Sequence, residues 1–200
     1  MKITIRSIVL LSVAWLGLGA TGQTNADDKA KGGEIKVGDP APAFQATDDQ
    51  GSTWKSSDHV GKKILVVYFY PADQTPGCTR QACTYRDDMS KLTEKGVEVV
   101  GISGDSTKNH EVFKKAQKLN FTLLADEDGS VAKKFGVPVG KGGEWKTTDA
   151  EGNPVVLKRG ITAQRWTFVI NKDGKVIYKN IKVNPTQDSK QILELIEKQS

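Results

Sequence analysis

The chain predicts an α/β protein: a central, mostly parallel sheet with helices on both faces and a hairpin at its N-terminal side. Three observations predict it. "KILVVYFY" (63–70) and "VEVVGIS" (97–103) are continuous apolar runs rich in β-branched and aromatic residues, the pattern of strands buried on both faces. Between such runs lie segments whose apolar residues recur three and four apart, as on one face of a helix. Strands alternating with helices in this way form parallel sheets covered on both sides.

The elements follow in order from Ile35. "AFQATDDQGSTW" reads as a short hairpin turning at Asp49-Gln50-Gly51. After the first buried strand, "PADQTPGCTRQAC" (71–83) leads into a helix whose stripe of Ala82, Tyr85, Met89 and Leu92 extends back to Cys78. The second buried strand precedes a helix marked by Val112, Phe113, Ala116 and Leu119, then the strand "FTLLAD" and a short helix "SVAKKFG" ended by Gly136. Residues 138–164 are glycine-rich and polar, with a turn signal at Glu151-Gly152-Asn153-Pro154, and read as an extended excursion or irregular hairpin. "RWTFVINKDGKVIYK" is a hairpin with Asp173-Gly174 in its turn. A last helix is expected to start with Asn184 as N-cap and Pro185 at the first helical position, burying Ile192, Leu195 and Ile196. No internal repeat interrupts this order.

Two hundred residues, 37% apolar and 26% charged, fit one soluble globular domain. The N-terminus departs from that composition. Lys2 and Arg6 precede an apolar run from Ile8 to Ala20, and small and polar residues follow. This is the order of a secretory signal peptide, and the run is shorter than the roughly 20 residues that span a bilayer. The expectation is a signal peptide at 1–26 cleaved near 22–26, a flexible leader at 27–34, and a folded domain at 35–200. The protein is then exported, periplasmic, and without stable membrane association after cleavage. Losing Lys2 and Arg6 lowers the formal charge from +5 to +3. Basic pairs such as Lys114-Lys115 and Lys133-Lys134 read as solvated helix faces, so nothing points to nucleic acid.

Cys78 and Cys83 are the two cysteines of the chain. A bridge between them closes a loop too small to restrain the unfolded chain much, so stability is a poor reason for the pair. Cys78 leaves the carboxyl end of the strongest strand, where ligands gather in open α/β sheets. It also enters a helix, whose unpaired N–H groups and positive dipole end favour a thiolate. A helix sets residues i and i+5 about 8.7 Å apart at Cα, from about 7.5 Å of rise and about 140° of rotation. A disulfide tolerates no more than about 7 Å. If both cysteines are helical, a bridge requires the first turns to unwind. Greater thiolate character alone makes no fast enzyme, because nucleophilicity falls with basicity and the net gain is about twofold. Large acceleration needs groups that activate the electrophile. Thr75, three residues before Cys78, can direct its hydroxyl toward the thiolate or a bound oxygen, and Arg165 supplies a fixed cation with several donors.

"YFYPADQTPGCTRQAC", followed by "RDDM" and later by "RWTFVINKDGK", resembles a peroxiredoxin, and more narrowly the Q-type or bacterioferritin comigratory subfamily. The resemblance covers roughly residues 35–200. It implies a thioredoxin-like fold and thiol-dependent reduction of hydrogen peroxide and organic hydroperoxides, with no organic or metal cofactor. On the matching positions it implies Cys78 as the peroxidatic cysteine, Thr75 and Arg165 as its activating partners, and Cys83 as the resolving cysteine of an intramolecular disulfide. Pro71 closes and shields the pocket, with Pro76 and Gly77 beside it, and Tyr68 and Phe69 build its apolar wall. A thioredoxin-like dithiol protein recycles the enzyme, and a monomer is implied. Two departures stand out: the segment between Val137 and Arg165 is long for the subfamily, and export demands an extracytoplasmic reductant.

The rival readings are an exported thiol–disulfide oxidoreductase of the same fold and a copper-binding carrier. The first normally carries two intervening residues between its cysteines, against four here. The second calls for a histidine near the thiolates. His59 lies in a polar loop, and His110, in the first turn of a helix, reads as a solvated surface residue. Trp54, Trp145 and Trp166 read as packing residues.

Overall fold

The computed structural model describes residues 34–198. The expected signal peptide and the leader up to residue 33 lie outside the described residues. The strands are β1 (Gln45–Asp48), β2 (Thr53–Lys55), β3 (Ile64–Phe69), β4 (Val97–Ser103), β5 (Thr122–Ala125), β6 (Val139–Thr148), β7 (Pro154–Ala163), β8 (Trp166–Ile170) and β9 (Val176–Asn180). The helices are α1 (Pro76–Glu94), α2 (Thr107–Gln117), α3 (Ser130–Lys134) and α4 (Asp188–Glu197).

Seven strands form one sheet in the order β2-β1-β5-β4-β3-β8-β9. β3, β4 and β5 pair in parallel at its centre, while β1 and β8 pair antiparallel to their neighbours. Only β1 and β8 therefore run against the rest, which makes the sheet mostly parallel in direction. Alternation along β3 explains the double burial. Val66 and Tyr68 join Tyr85, Phe113 and Ile192 beneath α1, α2 and α4. Leu65, Val67 and Phe69 join Phe135 of the segment after α3, Phe168 and Trp54 on the opposite face.

Two expectations change. Residues 139–163 are a regular antiparallel hairpin in a sheet of its own, ten residues per strand. Its glycines suit that role, because they let the hairpin approach the domain closely. Gly160 donates its N–H to the Gly104 carbonyl at 2.9 Å, and a Cβ on Gly160 would strike the Glu127 carbonyl oxygen. The hairpin thus lies across the ends of β4 and β5. The last helix starts at Asp188, with Gln187 rather than Asn184 as N-cap. The Asn184 side chain instead accepts from the N–H and hydroxyl of Thr186, closing a separate turn. Leu193 is buried in α4 where Leu195 was expected, and Leu195 is half-buried.

Gly160→Ala should lift the hairpin off the domain, with an overpacking cost of about 1–3 kcal/mol. Limited proteolysis should then cut within 139–163 faster than in the parent. Unchanged melting and cleavage would show that the close approach is not needed.

Candidate active site

Cys78 occupies the third position of α1, behind Thr75 as N-cap and Pro76 at the first helical position. Pro76 has no N–H to leave unpaired, and the Gly77 and Cys78 N–H groups have no carbonyl one turn back within the helix. The sulfur is buried, with Cys78 1% exposed. Arg165, one residue before β8, donates from Nη2 to Cys78 Sγ at 3.2 Å and from Nη1 to Gln81 Oε1 at 2.5 Å. Gly77 makes room for this cation, since a Cβ there would sit 3.3 Å from Nη2.

Gln81 is held in turn. Its Nε2 donates to Asp188 Oδ2 at 2.7 Å, and the same oxygen accepts from Tyr85 Oη and Thr167 Oγ1, each at 2.8 Å. Burial pushes the Asp188 carboxyl above the ordinary carboxylate range, against the pull of these three donors and of Arg165. Gln81 and Asp188 were not singled out from sequence. Gln81 carried a signal, as a polar residue on the apolar stripe of Cys78, Ala82 and Tyr85. Asp188, 107 residues further on, carried none.

The other placements are mixed. Thr75 donates its hydroxyl to the Ala72 carbonyl at 3.0 Å, not to the sulfur. Its proton is committed, so it can offer a ligand only an acceptor. Tyr68 lies on the Cys78 side of the sheet, stacked on Tyr85 at 5.0 Å. Its hydroxyl is pushed well above the ordinary tyrosine value by burial first and by Cys78 second. Phe69 is a correction. As the next residue of β3 it points to the opposite face, against Phe135 and Phe168, and cannot wall a pocket at Cys78. Pro76 is exposed at the helix start, and Pro71 lines an open groove of about 710 Å³ with Ala163, Arg165, Lys141, Ile181 and Lys182. Cys78 is not itself among these residues and meets the lining through Arg165. Cys83 is free, half-buried on the same helix, with its Sγ 3.8 Å from Gln117 Oε1.

His110 is the second correction. It is fully buried beneath the loop that carries Thr75. Its Nδ1 lies 2.8 Å from Asp73 Oδ2, so the nitrogen must carry the proton, and Tyr70 donates to Asp73 Oδ1 at 2.7 Å. Asp73 N–H donates to Asp105 Oδ2, and Asn109 joins Asp105 to the Lys158 carbonyl of β7. The signal was present in sequence: His110 stands three residues before Phe113, on the inward face of α2. Gln74 of the same loop adopts φ 55°, a left-handed conformation costly for a non-glycine, and accepts from Thr147 of β6 at 3.3 Å. Among the described residues, no group of three or more His, Cys, Asp and Glu is placed to hold a metal, and no helix is long and apolar enough to cross a membrane.

The AhpC/TSA family profile matches residues 37–179. Peroxiredoxin Q of Sedum lineare chloroplasts is 40% identical, over 82% of this chain and 79% of its own length. The chloroplastic peroxiredoxin Q of Oryza sativa subsp. japonica is 41% identical over 82% of this chain, which spans 66% of that protein's length. Among solved structures, peroxidoxin BcpB from Mycobacterium tuberculosis superposes with a TM-score of 0.68 at 30% identity, covering 82% of this chain and 98% of that one. Peroxiredoxin Q of Xanthomonas campestris gives a TM-score of 0.65 at 25% identity, covering 82% and 96%.

A pH dependence follows from the buried histidine. Burial opposes the charged imidazole, but the Asp73 carboxylate against it wins and holds His110 above its ordinary value. A raised folded-state pKa gives stability that is full below the unfolded value of about 6.5 and is lost as pH rises through the folded value. Removing one partner of a buried pair costs about 3–5 kcal/mol. His110→Gln should therefore destabilise most below that pH and progressively less toward alkaline pH in urea titrations. A difference from the parent that stays flat between acid and alkaline pH would show that the pair does not titrate.

Proposed function

Because this chain belongs to the AhpC/TSA family, with relatives named peroxiredoxin Q, we propose that it is a thiol peroxidase in which Cys78 attacks hydrogen peroxide and organic hydroperoxides. The observation that carries the reading is the 3.2 Å contact from Arg165 to a sulfur seated at a helix N-terminus. A guanidinium there can hydrogen-bond the attacking sulfur and stands ready for the charge that develops on the leaving oxygen. Thr75, its own proton given to Ala72, accepts the hydrogen of the hydroperoxide and orients it. The thiolate forms an S–O bond to the nearer oxygen while the O–O bond breaks. The departing alkoxide or hydroxide takes a proton, and Cys78 is left as a sulfenic acid.

Cys83 then attacks the Cys78 sulfur, forming a disulfide and releasing water. Both residues are helical within α1 and the i+5 spacing is too long for a bridge, so this step needs the first turns of α1 to unwind. The half-buried position of Cys83 suits a sulfur reached by such opening. A dithiol protein of thioredoxin type then reduces the disulfide by exchange. The basic start and apolar run of the first 20 residues favour export, so that reductant is extracytoplasmic.

Stopped-flow oxidation of the reduced protein by equimolar peroxide, followed by fluorescence and thiol count, tests the reading. Both thiols should disappear far faster than free cysteine reacts. Cys78→Ser should abolish the reaction, and Cys83→Ser should undergo one fast oxidation and accumulate sulfenic acid. Oxidation at the rate of an ordinary thiol would overturn the peroxidase reading. Normal turnover of Cys83→Ser would remove Cys83 from resolution.

A further inference from the structure

The Gln81 side chain has two unlike ends. Its oxygen accepts and its nitrogen donates, while a guanidinium only donates. Only the oxygen can face Arg165 favourably, so whatever selects the orientation of this amide also sets the aim of Arg165. Within the buried cluster that selector is Asp188. Its Oδ2 receives the Gln81 nitrogen at 2.7 Å and is itself fixed by hydroxyls from two other elements, Tyr85 of α1 and Thr167 of β8. With the Tyr85 and Thr167 hydroxyls also donating to it, Oδ2 is an acceptor, so it holds the nitrogen toward itself and the oxygen toward Arg165. The guanidinium, anchored through Nη1, is then left with Nη2 on the sulfur. A flipped amide would set two donors face to face and free Arg165 to turn toward the groove it lines.

We propose that Asp188 is a positioning residue for peroxide reduction, acting from the first position of α4 through Gln81 to hold Arg165 on Cys78. Side chains of α4, of α1 and of the residue before β8 form the line Asp188, Gln81, Arg165, Cys78, and every link is a direct hydrogen bond. Asp188 touches neither the sulfur nor the groove lining. Its loss disturbs the activation of the oxygen electrophile more than the attacking power of the sulfur.

The inference rests on the peroxidase reading of Cys78, and the experiment separates the two. In a Cys83→Ser parent, which leaves one thiol, two second-order rate constants are measured: oxidation by hydrogen peroxide and alkylation by iodoacetamide, which needs no oxygen activated. Asp188→Ala should slow oxidation by about tenfold or more while alkylation stays within about threefold, the size of effect expected for a lost charged hydrogen bond. Asp188→Asn, whose amide oxygen can still accept from Gln81, should recover most of the oxidation rate. Gln81→Ala should reproduce the loss, and adding Asp188→Ala to it should cost nothing more, because residues acting through one link are non-additive. A fast parent whose Asp188→Ala form oxidises equally fast overturns the inference. So does an equal loss of oxidation and alkylation, or additivity with Gln81→Ala. A parent no faster than free cysteine overturns the peroxidase reading and this inference with it.

Discussion

The contact between the Arg165 guanidinium and the Cys78 sulfur joins residues 87 positions apart, and most of the surrounding structure serves to make it possible. A guanidinium this close to a buried sulfur is held only where its remaining donors find acceptors. Gln81 meets that condition, and Asp188 stands behind it. Arg165 thus stands just before β8, yet its partners lie on α1, backed by α4.

The loop carrying Thr75 is held from below by a different set of charges. Asp73 is its buried anchor, taking Tyr70 and His110 through its carboxylate and tied to Asp105 through its backbone. Burial pushes Asp105 above the ordinary carboxylate range, and the neighbouring Asp73 carboxylate adds to the effect. Such a cluster is costly to form and costlier to leave half-paired, which gives the loop one well-defined position. Cys83, five residues beyond Cys78, lies on the helix that this loop leads into. Beyond Asp73 lie the left-handed Gln74, held by Thr147, and Thr75, held by the Ala72 carbonyl.

The hairpin of β6 and β7 links these parts. It reaches Gln74 through Thr147 and the Asp105 cluster through the Lys158 carbonyl, and it supplies Lys141 and Ala163 to the groove beside Arg165. The hairpin is thereby laid across the carboxyl ends of the central strands, beside Arg165.

From sequence came what local chemistry dictates. Continuous apolar runs located β3 and β4, helical spacing located α1, and the proline, threonine and cysteine of residues 71–78 marked the loop that enters α1 at Cys78. Arg165 was picked out as a fixed cation and matched by resemblance to a family motif. What escaped were side chains whose meaning depends on partners distant in the chain. His110 looked like a surface residue until Asp73 met it under the loop. Asp188 carried no signal, and Asn184, expected as the cap, closes a turn with Thr186 before a helix that starts at residue 188. Phe69 was assigned by proximity in sequence to a face that strand alternation denied it. Apolar patterns are legible because burial acts on each residue by itself, whereas buried polar groups are stable only in company, and tertiary packing alone selects that company.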